Sequence, residues 1–103
     1  MNLRKEPWQC RDMNEVRKEI DKIDHQIIEL FADRMKYVEE IVRFKKDEKS
    51  VIAAARKEQV ISDRAAWAKG KGLDPEVFKR IYTLLVERNI EHELELLKTK
   101  TEE

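Results

Sequence analysis

The stretch MNEVRKEIDKIDHQIIELFADRMKYVEEIV, residues 13–42, decides the fold that this sequence predicts. Its apolar residues recur at spacings of three and four, the period of one face of an α-helix. An uninterrupted helix of this length would extend over about 45 Å, too far for a compact monomer of 103 residues. The pattern therefore predicts a partner helix, most simply from a second copy of the chain. The apolar positions are Val16, Ile20, Ile23, Ile27, Leu30, Phe31, Met35, Val38, Ile41 and Val42.

A second, medium helix follows a break in this period. The run DEKSVI, residues 47–52, interrupts the pattern and indicates a loop. The medium helix begins near Ala53 and carries Trp67 on its apolar side. The GKG of residues 70–72 is expected to end it, because glycine readily adopts the left-handed conformation of a helix C-terminus.

A third, long helix completes the predicted fold. Asp74 is a suitable N-cap, Pro75 suits the first helical position, and the apolar period then continues to Leu97. The predicted fold class is therefore all-α, with three helices in the order long, medium, long. The predicted domain comprises residues 13–99, between an N-terminal extension of residues 1–12 and a C-terminal tail of residues 100–103.

The composition fits long helices with solvated outer faces and argues against several classes of protein. Charged residues make up 43% of the chain, with only two glycines and two prolines. Lysine plus arginine equals aspartate plus glutamate at 22 each, so there is no basic field for nucleic acid or an anionic membrane. Cys10 is the only cysteine, no apolar run approaches a membrane span, and the first residues lack the apolar core of a signal peptide. We expect a soluble, cytoplasmic protein without nucleic-acid or membrane partners.

The end of the long helix, RMKYVEEIVRFKK at residues 34–46, places two cations on its apolar face. Arg34 lies four residues before Val38 and Lys45 lies four residues after Ile41, so these side chains point the same way. The aliphatic stem of either cation could lie over apolar surface with its charge in water. Several such cations together are unfavourable unless something neutralises them.

Three more charged residues lie at or beside apolar faces. Arg17 precedes Arg34 by seventeen residues, which places it about 100° round the helix axis, facing elsewhere and into the pocket of a partner. Arg56 begins the second helix, and Glu93 lies on the apolar stripe of the third. One carboxylate cannot neutralise four cations, so the pattern predicts a cavity for a small ligand with more than one negative charge.

Residues for covalent or metal chemistry are not suitably placed. No cysteine, serine or histidine has the setting of a nucleophile, the chain has no glycine-rich phosphate loop, and His25 and His92 lack metal-ligand spacing. Any chemistry must therefore proceed by positioning and electrostatics. The aromatic residues Trp8, Tyr37, Phe44 and Trp67 are expected to be packing residues.

Five segments carry a resemblance to a known family: VRKEIDKIDHQIIELFADRMKYV, RFKK, ARKEQVI, RAAWAKGKGLDP and ERNIEHELE. Over about residues 10–95 the chain resembles the all-helical, type II chorismate mutases, and among these it is most similar to the isochorismate pyruvate lyases of salicylate synthesis. The resemblance implies an intertwined helical homodimer with two equivalent active sites and no cofactor or metal.

The resemblance also implies roles for individual residues. Arg17 of one subunit and Arg34 of the other would bind the two substrate carboxylates. Lys45 would contact a carboxylate and the ether oxygen of the breaking C–O bond. The implied catalytic residues are Arg34, Lys45 and Glu93. The implied substrate-binding residues are Arg17, Arg34, Lys45, Arg56, Asn89 and Glu93.

Three departures from the family pattern bear on the reaction. Mutases of this kind typically read D-x-x-R-E at the start of the second helix, where this chain reads AAARK, with Ala53 and Lys57 in place of the acids near the ring hydroxyl. Glu93 stands where glutamine is common, and a carboxyl group donates a hydrogen bond only when protonated. Asn89 is the candidate for the polar group one turn earlier. By the same resemblance, the segment KDEKSVI, residues 46–52, would close over the site.

Three functions follow in order of preference. The first is chorismate mutase, which rearranges chorismate to prephenate in a pericyclic step. The alternative is isochorismate pyruvate lyase, which uses the same pocket to form salicylate and pyruvate. The second alternative is a non-catalytic helical dimer that binds a chorismate-like dicarboxylate.

Overall fold

Four α-helices make up most of the part of the chain, residues 5–102, that the computed structural model describes. They are α1 (Met13–Ile41), α2 (Glu48–Ile52), α3 (Ala54–Gly70) and α4 (Pro75–Glu102), and single 3-10 turns lie at Pro7–Gln9 and Val42–Phe44. Residues 5–102 contain no β-strand. The predicted all-α class is confirmed, with α1, α3 and α4 as the long, medium and long helices. None of these helices is long and apolar enough to cross a membrane.

The chain divides into two compact units, Met1–Lys36 and Tyr37–Glu103. In the first unit, hydrogen bonds fold the N-terminal segment onto α1. Glu15 Oε2 accepts from Arg11 N at 2.7 Å, and Lys5 Nζ lies 3.1 Å from Glu15 Oε1. The hydrogen bond from Arg11 N, aided by Lys5, lowers the pKa of Glu15. Residues 1–4 of the predicted extension lie outside the described residues.

The apolar face of α1 is largely uncovered in the single chain. All 29 residues of α1 are described, and none of them is buried. On this face Val16 and Ile27 are each 41% exposed, Ile20 is 50% exposed and Leu30 is 67% exposed. Because burying such a side chain contributes about 1.5–3 kcal/mol, this face has much to gain from a partner.

The core of the second unit lies where α4 meets α2 and the turn after α1. Val42, Val51 and Leu97 are buried together there, one from each element. Helix α3 packs along α4 and buries Ala65 and Ala68. The side chains packed against the core cluster are those of Ile90, Leu94 and Leu96.

The prediction of a loop at residues 47–52 is wrong, because Glu48–Ile52 form the short helix α2. Asp47 is its N-cap: Asp47 Oδ1 accepts from Ser50 N at 2.8 Å, and Ser50 Oγ donates to Asp47 O at 2.8 Å. Val51 anchors the helix in the core. Five residues are too few to show a helical period, so the cap spacing was the only local signal.

The expected end of the medium helix at residues 70–72 is confirmed. Gly72 has a φ of +78°, in the left-handed region. Gly72 N donates to Lys69 O at 3.1 Å and Leu73 N donates to Ala68 O at 2.9 Å. This pair of hydrogen bonds is a Schellman motif, with glycine at the position that needs positive φ.

Helix α4 also begins where the sequence predicts it. Asp74 Oδ1 accepts from Glu76 N at 2.9 Å, and Pro75 is the first helical residue. The helix then continues to Glu102, so residues 100–102 of the predicted tail are helical. Glu103 lies outside the described residues.

The two glycines near the end of α3 offer a matched test of this cap. A Cβ added at Gly70 or Gly72 meets no described atom within 4 Å, and only Gly72 has a positive φ. Gly72→Ala should therefore lower the free energy of unfolding by about 1 kcal/mol. Gly70→Ala should leave it unchanged or raise it, because alanine favours helix. Urea unfolding of both variants measures the difference, and equal effects would contradict the assigned cap.

Candidate active site

Two polar side chains are buried on one apolar face of α4. Asn89 is 5% exposed and Glu93 is 8% exposed, and they lie one turn apart between the buried Val86 and Leu97. They are the only buried polar or charged residues among the described side chains. Burying polar groups costs free energy that apolar residues at the same positions would not cost. This part of α4 is therefore the candidate site, and Asn89 is more deeply buried than the sequence indicated.

Lys45 lies half-buried directly after the 3-10 turn that follows α1. The prediction that Lys45 continues the helical face of Arg34 is therefore wrong, because α1 ends at Ile41 and Lys45 has an extended backbone. Its ammonium group donates to Ser50 O in α2 at 2.8 Å, and its backbone N donates to Val42 O at 3.0 Å. The side chain thus connects the end of α1 to α2. The position of α2 consequently determines where this positive charge is held.

The start of α3 carries two adjacent cations in different settings. Arg56 is exposed in the single chain. Lys57 is less exposed, and its Nζ lies 3.2 Å from Glu87 Oε1 on α4. Lys57 therefore links α3 to α4, whereas the guanidinium of Arg56 remains accessible to a ligand.

The six predicted site residues are divided between the two units. Arg17, which is exposed, and Arg34, which is half-buried, lie on the part of α1 that belongs to the first unit. The other four, Lys45, Arg56, Asn89 and Glu93, lie in the second unit. Of these, Asn89 and Glu93 share one face of α4.

Comparison with known proteins places all six of these residues in a recognised domain. Residues 16–94 match the model of the family described as chorismate mutase type II. The chain belongs to this family. It is also 32% identical over 82 residues to an isochorismate pyruvate lyase of Pseudomonas aeruginosa, covering 80% of this chain and 81% of that protein. The resemblance seen in the sequence is confirmed.

The junction of α2 and α3 consists of a single residue. Ala53 joins the helices with φ +34° and ψ +65°, a left-handed conformation. A residue with a Cβ adopts this conformation at a cost of about 1–2 kcal/mol. Ala53 N donates to Lys49 O, and Ala53 O accepts from Lys57 N, both at 3.0 Å. One strained residue thus ends α2 and begins α3, between Lys45 and Arg56 in the sequence.

The four aromatic residues that the sequence indicates as packing residues are exposed in the single chain. Two of them instead lie under guanidinium groups at the surface, with Arg43 Cζ 4.7 Å from the centre of the Phe44 ring and Arg64 Cζ 4.5 Å from that of Trp67. Such contacts stabilise exposed aromatic rings modestly. The exposed fractions are 79% for Trp8, 78% for Tyr37, 68% for Phe44 and 61% for Trp67.

The cap of α2 gives this region a pH dependence that can be measured. Hydrogen bonds from Ser50, its backbone N foremost, lower the pKa of Asp47. The ionised cap therefore stabilises α2 fully above the ordinary aspartate pKa, and this stabilisation is lost as pH falls through the lower pKa of the folded state. We expect the protection of the Ser50 amide against hydrogen exchange to decline over that acidic range.

Asp47→Asn is the matched control, because asparagine caps a helix comparably and does not titrate. Its Ser50 protection factor, corrected for intrinsic exchange at each pH, should stay flat while circular dichroism shows the protein folded. The same decline in both proteins would show that Asp47 is not the titrating group.

Proposed function

We propose that this protein is an isochorismate pyruvate lyase, which converts isochorismate to salicylate and pyruvate without a cofactor. The observation that carries the proposal is the burial of Asn89 and Glu93 on one face of α4, in a chain of the chorismate mutase type II family. A pair of buried polar groups, with cations at the neighbouring helix ends, suits a small substrate with two carboxylates.

The start of α3 favours the lyase over the mutase. Mutases typically place acids around the ring hydroxyl, and this chain has Ala53 and Lys57 at those positions. Lys57 Nζ lies 3.2 Å from Glu87 Oε1, so the charge of Lys57 stabilises the contact between α3 and α4. The relative from Pseudomonas aeruginosa, of similar length, is named isochorismate pyruvate lyase. Chorismate mutase is the second candidate, because both reactions need the same bound geometry of the enolpyruvyl arm.

In the proposed reaction the protein acts by positioning and charge. Salicylate has one ring hydrogen fewer than isochorismate and pyruvate gains one in its methyl group, so a hydrogen moves from ring to arm as the ether bond breaks. Lys45 stabilises the negative charge that develops on the ether oxygen, and protonated Glu93 donates a hydrogen bond to the same atom. Arg17, Arg34 and Arg56 bind the carboxylates.

We further propose that the active form is a homodimer in which α1 packs against a partner chain. The support is the uncovered apolar face of α1, on which Val16, Ile20, Ile27 and Leu30 are exposed. Arg17 and Arg34 differ by about 100° in direction on this helix. The two arginines of one chain then serve different active sites, which makes each site a product of both subunits.

The function is tested by a product assay with isochorismate and chorismate in separate reactions. We expect salicylate and pyruvate from isochorismate at a much higher kcat/KM than prephenate from chorismate. Prephenate alone would favour the second candidate. Turnover of neither substrate would favour a dimer that only binds such dicarboxylates.

In the same assay, the variant Lys45→Met distinguishes a catalytic role of Lys45 from a purely structural one. Loss of one preorganised donor should lower kcat/KM by about 100-fold or more, with little loss of thermal stability. Lys79→Met is the matched control, because Lys79 lies on α4 and pairs only with Glu76 among the described ion pairs, at 3.1 Å. Unchanged activity in Lys45→Met would contradict the role of this residue.

The shared site is tested by mixing two inactive variants. If each site uses Arg17 of one chain and Arg34 of the other, an Arg17→Ala/Arg34→Ala heterodimer has one intact site. Random co-assembly should then recover about one quarter of the wild-type activity, although each variant alone is inactive. Absence of recovery in heterodimers isolated through two affinity tags would place both arginines in a site made by one chain.

A further inference from the structure

A lysine near the end of α4 lies against the carbonyl groups at the end of α1. Lys100 Nζ lies 3.3 Å from Val42 O, 3.2 Å from Arg43 O and 3.5 Å from Lys45 O. Carbonyl groups at a helix C-terminus lack the amides of a following turn and form the negative end of the helix dipole. The ammonium group of Lys100 thus provides these carbonyl groups with a positive charge and with hydrogen-bond donors, of which the helix itself provides few.

The preceding helix supplies no cation of its own to these carbonyls. In the described chain the last turn of α1 contains no basic residue. Arg43, in the 3-10 turn that follows, has its Nη1 3.2 Å from Glu40 Oε1 and its guanidinium over the Phe44 ring. Arg43 is therefore directed to other partners, and Lys100 is the cation that the structure places on the carbonyl groups.

The segment held by Lys100 is the one that presents Lys45. The carbonyl of Lys45 is one of the three acceptors, and its amide donates to a second acceptor, Val42 O, at 3.0 Å. Beyond this anchored backbone, the Lys45 side chain extends to Ser50 O at 2.8 Å. The direction of the Lys45 side chain is thus set before a ligand binds, which is the condition for efficient electrostatic catalysis.

The same helix carries both Glu93 and Lys100. Glu93, Leu97 and Lys100 are spaced by four and three residues, so they lie along one face of α4. Leu97 packs against Val42, the first residue of the segment that Lys100 holds. At 1.5 Å per residue, seven residues of rigid helix separate Glu93 from Lys100 by about 10 Å. Helix α4 therefore fixes the position of the Lys45 backbone relative to Glu93.

A second contact secures the turn before this segment. His92 Nε2 lies 2.8 Å from Glu39 Oε2, near the end of α1. Together with the Leu97–Val42 packing and Lys100, it forms a continuous series of contacts between α4 and the end of α1. Lys100 is the last of these contacts before the chain turns away to α2.

We propose that Lys100 is a positioning residue for Lys45. It acts through the backbone of residues 42–45 and does not touch the substrate. The inference rests on the proposed function of Lys45 at the substrate ether oxygen. Lys100 lies outside residues 16–94, the part of the chain that matches the family.

Kinetics of two Lys100 variants test the proposal. Lys100→Met keeps the aliphatic stem and removes the charge and donors, and displacement of Lys45 should then lower kcat/KM for isochorismate roughly tenfold to hundredfold. Lys100→Arg keeps a cation with several donors and should restore most of this activity. Lys79→Met again serves as the control with unchanged activity. Wild-type kcat/KM in Lys100→Met would overturn the proposal.

A double variant distinguishes positioning from a general structural effect. If Lys100 acts only through Lys45, adding Lys100→Met to Lys45→Met should cause no further loss of activity. Losses that multiply would show that Lys100 acts independently of Lys45 and would overturn the proposal.

Hydrogen exchange tests the contact without any substrate. In Lys100→Met the Lys45 amide should exchange faster than in the wild type, while amides in the middle of α3 keep their protection. An unchanged exchange rate of the Lys45 amide would show that Lys100 does not hold this segment and would overturn the proposal. A wild-type protein that turns over neither substrate would instead overturn the proposed function. If Lys100→Met does not fold, Lys100→Gln, which keeps N–H donors without the charge, takes its place.

Discussion

The packing of Val42, Val51 and Leu97 is the contact on which the rest of the second unit depends. Each residue comes from a different element, and each is only 5% exposed. The cluster brings together the end of α1, the short helix α2 and the last third of α4. Lys45 lies between the first two of these elements in the sequence, and Glu93 lies one turn before Leu97. A small apolar contact thereby fixes the elements that carry Lys45 and Glu93 relative to one another.

Under the proposed function, the buried face of α4 gives up stability in exchange for substrate binding. Asn89 and Glu93 take two of the four buried positions on that face, where valine or leucine would contribute more to the core. A chain of 103 residues has little apolar surface to spare. In the proposed homodimer, burial of the exposed apolar side of α1 against the partner would offset this cost.

The sequence predicted those features that rest on long periodic patterns or on strong local signals. Helix α1 shows its period over many turns, and Asp74, Pro75 and Gly72 mark their helix ends through properties of single residues. Helix α2 is too short to show a period, and it forms because Val51 reaches a core that the local sequence does not reveal. The contacts of Lys100 join residues more than fifty positions apart, which no local pattern encodes. The apolar stripe of the third helix predicted the position of Glu93, whereas the burial of Asn89 became evident only in the structure.

The single-residue junction at Ala53 has a consequence for how this chain can vary in length. Because Ala53 both ends α2 and begins α3, no spare residue separates the two helices to absorb an insertion or deletion. One added residue would rotate α3 by about 100° about its axis. Lys57 would then turn away from Glu87, and the side of α3 that buries Ala65 and Ala68 would no longer face α4. This junction sets the rotational register of α3, so substitutions are tolerated here far better than changes in length.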